Sequence, residues 1–134
     1  MADYPNYKMQ IKEHHVDSLG HVNNATYLEL FEEARWEAIT ALGYGFKTVQ
    51  RLQQGPVIIE INLKFQRELL LRENIQITMK VLSYEGKICK MQQQMLKEDG
   101  TVACEALFVF GLFDMKTRRM IEPTPEWKQA VGMA

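Results

Sequence analysis

The sequence is sparing in the features that mark several large protein classes. Cysteine occurs only twice, as Cys89 and Cys104. That is too few for a disulfide scaffold, so a reducing cytoplasm is the expected setting. No apolar run approaches the roughly 20 residues of a membrane span, and no membrane partner is expected. Met1 to Lys12 lacks the apolar centre of a signal peptide. Neither sign of charge dominates. The formal net charge is −1, without the basic excess of a nucleic-acid-binding surface, so nucleic acid is not an expected partner. Serine occurs only as Ser18 and Ser83, and neither sits in G-x-S-x-G. Gly43-Tyr44-Gly45-Phe46 lacks the third glycine of a dinucleotide fingerprint and follows a helical pattern, not a strand. P-loop, H-E-x-x-H and C-x-x-C spacings are absent. The cysteines are therefore read as core packing. At 134 residues the chain is too short for an α/β-hydrolase, a TIM barrel or a two-domain dehydrogenase. It suits one domain, residues 1–134.

What is present is a strong alternation of apolar and polar residues. Hydrophobic content of 46% and charged content of 25% are those of a globular domain. After Pro56, Ile59, Ile61, Leu63 and Phe65 alternate with Glu60, Asn62, Lys64 and Gln66, the period of a half-buried strand over Val57 to Gln66. Asn74 to Leu82 repeats that period. Asp99-Gly100 is a two-residue hairpin signal. It sets Met95 opposite Cys104, Gln93 opposite Ala106, Met91 opposite Phe108 and Cys89 opposite Phe110. Upstream, Tyr84-Glu85-Gly86 fits a three-residue loop that sets Val81 opposite Cys89 and Ile77 opposite Gln93. A three-stranded meander from Asn74 to Asp114 follows, with Gln93 the one misfit on its apolar face. From Asn24 to Leu42, Tyr27, Leu28, Phe31, Ala34, Ala38, Ala41 and Leu42 keep a helical period. Asn23 or Asn24 is the expected N-cap and Gly43 the stop. Tyr7 to His14 reads as a first strand, and Pro125 to Val131 as a short surface helix. The order strand, helix, four strands is an α+β layout, simplest as one sheet with the long helix on one face.

Chemistry-bearing residues concentrate in His14-His15-Val16-Asp17-Ser18-Leu19-Gly20-His21-Val22-Asn23-Asn24, which holds all three histidines. A metal site built from them is disfavoured, because adjacent histidines at a strand end point to opposite faces. One reading of Asp17 to Asn24 is a loop whose side chains tie up turn backbone and cap a helix. The other is catalytic. A helix start offers free N–H groups and about half a positive charge, able to polarise a carbonyl oxygen. Asp17, a few residues upstream, could then attack that carbonyl or activate a water. Thioesters suit so spare a site, because their thiolate leaving group needs no elaborate proton donor.

Asp17-Ser18-Leu19-Gly20-His21-Val22-Asn23-Asn24, with Tyr27 and Glu32-Glu33-Ala34-Arg35-Trp36, resembles the D-x-x-x-H-V-N-N-x-x-Y…E-E-A-R signature of hotdog-fold acyl-CoA thioesterases. The likeness is strongest to the bacterial long-chain branch of the 4-hydroxybenzoyl-CoA thioesterase-like group. It continues through Asn62-Leu63-Lys64-Phe65-Gln66-Arg67 and ends with Phe110 to Asp114, Thr117 and Arg118. The resemblance implies an antiparallel sheet wrapped around one long central helix. It implies hydrolysis of acyl-CoA, medium- or long-chain, with no cofactor and no metal.

Residue by residue, the resemblance puts the catalytic carboxylate on Asp17 and the carbonyl-polarising amide near Asn24. His21, Asn23 and Tyr27 hold motif positions, and Tyr27 could equally be plain core. Hotdog proteins pair sheet edges into dimers and often dimers of dimers, so a homodimer or homotetramer is implied. The strand at Val57, Ile58 and Ile59 of one subunit would then approach Asp17 of another. A carbonyl held at Asn24 would send its acyl chain past Leu28 and Phe31, which could line a tunnel or be filled core. Glu33 and Arg35, two apart, do not face each other, so Arg35 is expected to reach Glu32 or a neighbouring subunit. Glu68 departs from the family pattern, where proline often follows the arginine at Arg67. A non-catalytic acyl-CoA or acyl-carrier-protein binder is the alternative. A hotdog dehydratase is disfavoured, since the helix carries Glu33 but no histidine.

Overall fold

The computed structural model describes residues 4–133. The long helix runs from Asn24 to Ala41 (α1). Asn23 is its N-cap, its side-chain oxygen accepting from the N–H groups of Ala25 and Thr26. Leu42 caps its end, and Gly43 follows at φ 91°, a left-handed conformation glycine adopts without strain. Tyr27, Leu30, Phe31, Ala34 and Ile39 form the buried face.

Seven strands surround this helix: β1 (Tyr7–Gln10), β2 (Gln54–Phe65), β3 (Asn74–Ile77), β4 (Lys80–Glu85), β5 (Ile88–Leu96), β6 (Val102–Asp114) and β7 (Arg119–Ile121). The main path is β1-β3-β5-β6-β2, with β4 paired to β5 and β7 to β6. All pairings are antiparallel. Two short helices complete the fold, α2 (Phe46–Leu52) and α3 (Pro125–Ala130). The sequence reading contained neither α2 nor β7. α2 has seven residues, about two turns, and β7 three, too few repeats to show a period.

The β5–β6 register is the one expected, with Cys89, Met91, Gln93 and Met95 opposite Phe110, Phe108, Ala106 and Cys104. Its turn differs. Gly100 N–H bonds to Lys97 O and Lys97 N–H to Thr101 O, with Gly100 alone left-handed at φ 86°. That is a three-residue loop absorbed by a bulge after Met95.

The segment before β5 also needs correction. Asn74 to Leu82 is not one strand but two, broken at Thr78 and Met79. Val81 pairs with Met91 and Ile77 with Met95, two residues from the expected register. The connecting loop is Gly86-Lys87, since Glu85 pairs with Ile88. A shift of two preserves side-chain facing, so Ile75, Ile77, Met79 and Val81 are still buried.

Three further expectations change. The first strand stops at Gln10, and Glu13–His15 forms a 3₁₀ turn, so His14 and His15 do not diverge: their ring centroids lie 4.0 Å apart. The C-terminal helix is not a surface helix. Trp127, Ala130 and Val131 are fully buried, and Trp127 meets the rings of Tyr44 and Phe110 edge-on. Finally, the alternating strand β2 is present, yet its apolar face is not covered. Ile59, Ile61 and Phe65 are 53%, 44% and 50% exposed. Ile59 is extruded by a bulge between Ile58 and Glu60. Ile61, Leu63 and Phe65 do lie opposite the buried Phe108, Ala106 and Cys104. Their side is the expected one, but β2 is a sheet edge, and although Tyr27 of α1 meets Phe65, Ile61 and Phe65 stay about half exposed.

Candidate active site

The polar segment is a small hairpin closed by a bridge between Val16 and Val22. Asp17 N–H donates to His21 O and Gly20 N–H to Asp17 O, with Gly20 at φ 81°. Asp17 Oδ1 accepts from Leu19 N–H at 2.9 Å and His21 N–H at 3.2 Å. The Asp17 side chain thus ties up turn backbone, as the first reading expects. One oxygen holds the turn, while Oδ2 has no donor among the described residues and the side chain is exposed.

Two residues past the bridge, α1 begins. The Asn23 side chain takes the N–H groups of Ala25 and Thr26. The Asn24 N–H makes no hydrogen bond among the described residues, one of the donors a helix start leaves free. Asp17, His21, Asn23 and Asn24 are thus brought together by one turn and one helix start. All four are exposed.

The hairpin is anchored by the β2–β3 connection, which the sequence reading singled out only at Glu68. His21 bridges Leu70 through the backbone and pairs its imidazole with the Glu68 carboxylate. Arg72 forks onto Glu13 and its N–H donates to Ile11 O at 2.7 Å. Lys97 pairs with Glu73 at 2.9 Å and donates to Glu68 O. The signal available in the sequence was the unusual residue at 68. The spacing to Arg72 carried none, because Arg72 sits at φ 69°, a conformation no pattern announces for arginine.

The remaining candidates separate. Tyr27 is buried, its ring edge-on to Phe65 at 5.0 Å, and burial raises its pKa. Phe31 is fully buried against Phe108. It does not line the cavity that opens beyond it, a space of about 100 Å³ walled by Glu32, Arg35 and Trp36 of α1, Pro56 and Ile58 of β2, and Trp127 of α3. Ile58 is on that wall; Val57 and Ile59 are not. Among the described residues Arg35 makes no salt bridge to Glu32. Its Nη1 donates to Gln93 Oε1 at 2.9 Å, and its guanidinium lies 4.1 Å over the Phe108 ring. Gln93, the misfit of the apolar face, is thereby satisfied, with Nε2 donating to Phe31 O.

Burial pushes the thiols of Cys89 and Cys104 up to about 12, so neither is a nucleophile at neutral pH. Among the described residues no group of three metal-ligating side chains gathers, and no helix is long and apolar enough to cross a membrane.

The long-chain acyl-CoA thioesterase FadM of Escherichia coli is 30% identical over 116 residues, 85% of this chain and 86% of that one. A crystal structure of the probable thioesterase YbaW, also from Escherichia coli, superposes with a TM-score of 0.83 at 28% identity over 96% of both chains. A Staphylococcus aureus protein solved in complex with CoA has a TM-score of 0.89 at 18% identity, over 98% of this chain and 82% of that one, which speaks for the fold alone. The model of the thioesterase-like superfamily matches residues 11–131, a span that holds the hairpin, α1 and the whole sheet except β1, and the chain belongs to that superfamily.

Proposed function

We propose that the protein hydrolyses acyl-CoA thioesters of medium or long chain to the free acid and CoA. The family match and the FadM relative support a thioester hydrolase. The observation that carries the reading is a carboxylate oxygen of Asp17 and an N–H of Asn24, both without a partner among the described residues, the first inside the hairpin and the second at the start of α1 that follows it.

In this reading the thioester carbonyl oxygen accepts from Asn24 N–H, and the positive end of α1 steadies the charge that builds on it. Asp17 acts through Oδ2 in one of two ways. As a base it takes a proton from water while the hydroxyl oxygen bonds to the carbonyl carbon. As a nucleophile it bonds to that carbon itself, and water then cleaves the resulting anhydride. Either way the C–S bond breaks, the electron pair leaves on sulfur and CoA thiolate departs. His21 and Asn23 position the pair: His21 through its backbone bond to Asp17, Asn23 by capping the helix.

The acyl chain runs along α1 past Leu28 toward the cavity at Ile58. Phe31 forms the filled floor beneath that path. The same reading gives the open edge of β2 to a second copy. Ile59, Ile61 and Phe65 are then covered, and the Val57–Ile59 segment of one subunit approaches Asp17 of the other.

The test is a panel of acyl-CoAs of rising chain length with detection of free thiol, in the presence and absence of EDTA. Thiol release that is indifferent to EDTA is expected. Tight acyl-CoA binding without thiol release overturns hydrolysis in favour of a binding protein. Activity abolished by EDTA overturns the metal-free mechanism.

A further inference from the structure

We propose that Arg35 binds an oxygen acceptor at the far end of the acyl group, so that the cavity selects chains with a terminal hydroxyl or oxo group over unsubstituted chains of equal length. The proposal rests on acyl-CoA hydrolysis at Asp17 and Asn24.

The cavity walls are apolar except at Arg35, Glu32 and Tyr4, whose hydroxyl is committed to Ala130 O. Trp36, Ile58, Phe110 and Trp127 face it, together with the charged pair Arg35 and Glu32. At about 100 Å³ it has room for the last carbons of a chain; a dry cavity of roughly 150 Å³ takes a benzene. Arg35 stands eleven residues beyond Asn24 on the same helix. At ~1.5 Å per residue that is roughly 16 Å, the reach of a medium-length acyl chain.

Arg35 is held as a binding group is held. Gln93 fixes one nitrogen, Phe108 supports the plane, and Gln93 is itself fully buried and locked to Phe31 O. A guanidinium has five N–H donors, and a single hydrogen bond from Arg35 is made among the described residues. Among those residues no fully buried side-chain N or O lacks a partner. The spare donors therefore keep an open face, and the cavity Arg35 lines is such an opening. No carboxylate of the described residues lies within salt-bridge distance of it. Burial pushes its pKa down to about 10, which still leaves it charged at neutral pH.

A half-buried cation with spare donors beside an apolar space is stabilised by an acceptor delivered into that space. Glu32 on the same wall decides the acceptor's charge. A carboxylate entering the cavity would meet Glu32, whereas a hydroxyl or oxo oxygen accepts from Arg35 without adding charge.

The experiment compares kcat and KM of the full chain on lauroyl-CoA, ω-hydroxylauroyl-CoA and a lauroyl-CoA hydroxylated at mid-chain, with butyryl-CoA as a thioester too short to reach Arg35. One charge-assisted hydrogen bond predicts about a tenfold higher kcat/KM for the ω-hydroxy chain, carried mainly by a lower KM. The mid-chain hydroxyl should gain nothing. In Arg35→Met the ω-hydroxy preference should fall to about one, whereas a merely structural role would lower both substrates alike and keep the ratio. The wild-type ratio needs no variant, so misfolding of Arg35→Met does not protect the proposal. Turnover of butyryl- and lauroyl-CoA with no ω-hydroxy preference overturns the role of Arg35 alone. No turnover of any of the four overturns the hydrolase reading with it.

Discussion

Beneath the middle of α1 the chain closes on itself, while at the start of the same helix it leaves its groups open. Phe31, Ala34 and Phe108 are sealed, and the one polar residue among them, Gln93, has both ends of its amide bonded. Asp17, His21, Asn23 and Asn24 are exposed, with a carboxylate oxygen and a helix N–H unpaired among the described residues. The first region is a rigid platform whose groups are answered from within one chain. The second borrows that rigidity to hold unanswered groups in place, the usual division between scaffold and site. Mutations should separate them: stability should follow the first region and turnover the second.

The sharpest break is Phe31→Ala. Removing a fully buried ring from its contact with Phe108 should cost about 3–5 kcal/mol. Chemical denaturation would measure this, and the acyl-length profile should stay parental. A longer preferred chain with little loss of stability would instead make Phe31 part of the acyl path. The complementary variant is Asp17→Asn. The amide oxygen still accepts from Leu19 and His21 N–H, so the turn survives. Yet kcat should fall by about two orders of magnitude or more, as for loss of one transition-state group. Unchanged turnover in the folded variant would reject Asp17 as base or nucleophile.

How far each region could be read from sequence follows from the same contrast. The β5–β6 register was legible because three apolar pairs, Cys89 with Phe110, Met91 with Phe108 and Met95 with Cys104, agreed with one turn signal, although the turn itself is one residue longer than that signal implied. Alternation carried facing but not pairing, which is why Val81 was set two residues from its true partner yet on its true face. The Gln93 misfit was visible, and Arg35 was flagged, but nothing in sequence joins two residues 58 apart on different elements. The hairpin from Asp17 to Asn24 was legible because its residues are adjacent and local turn and cap chemistry orders them. Its anchor through Glu68, Leu70 and Arg72 was not, since loop-to-loop contacts have no period. The buried α3 was misjudged because six residues show too little of a helix to reveal which face Trp127 takes.

The edge of β2 offers a middle-sized test, since its apolar residues Ile61 and Phe65 lie open. Ile61→Lys places a charge on the inward side of an exposed edge, a device that blocks strand pairing. Light scattering of the parent should show a dimer or tetramer. The variant should dissociate at about tenfold higher concentration or more, a change of about 1.4 kcal/mol, and turnover should fall in step with the assembled fraction. A parent that is monomeric at micromolar concentration, yet fully active, would remove the second copy from the site.

The smallest expected effect lies on the boundary itself, at Asn23. Its side chain belongs to the scaffold, because it caps α1 through the N–H groups of Ala25 and Thr26. Its neighbour Asn24 belongs to the proposed site. Asn23→Ala should cost about 1 kcal/mol, the usual price of a lost N-cap, or about 4 °C in Tm for a chain of this size. Turnover should fall only severalfold, because the first turn frays and the Asn24 N–H loses its aim. Serine caps a helix about as well as asparagine, so Asn23→Ser should restore both melting temperature and turnover. Restored melting with turnover still depressed a hundredfold would show that the asparagine amide contacts substrate directly. Asn23 would then move from the platform to the site, and the boundary drawn between the two regions would shift by one residue.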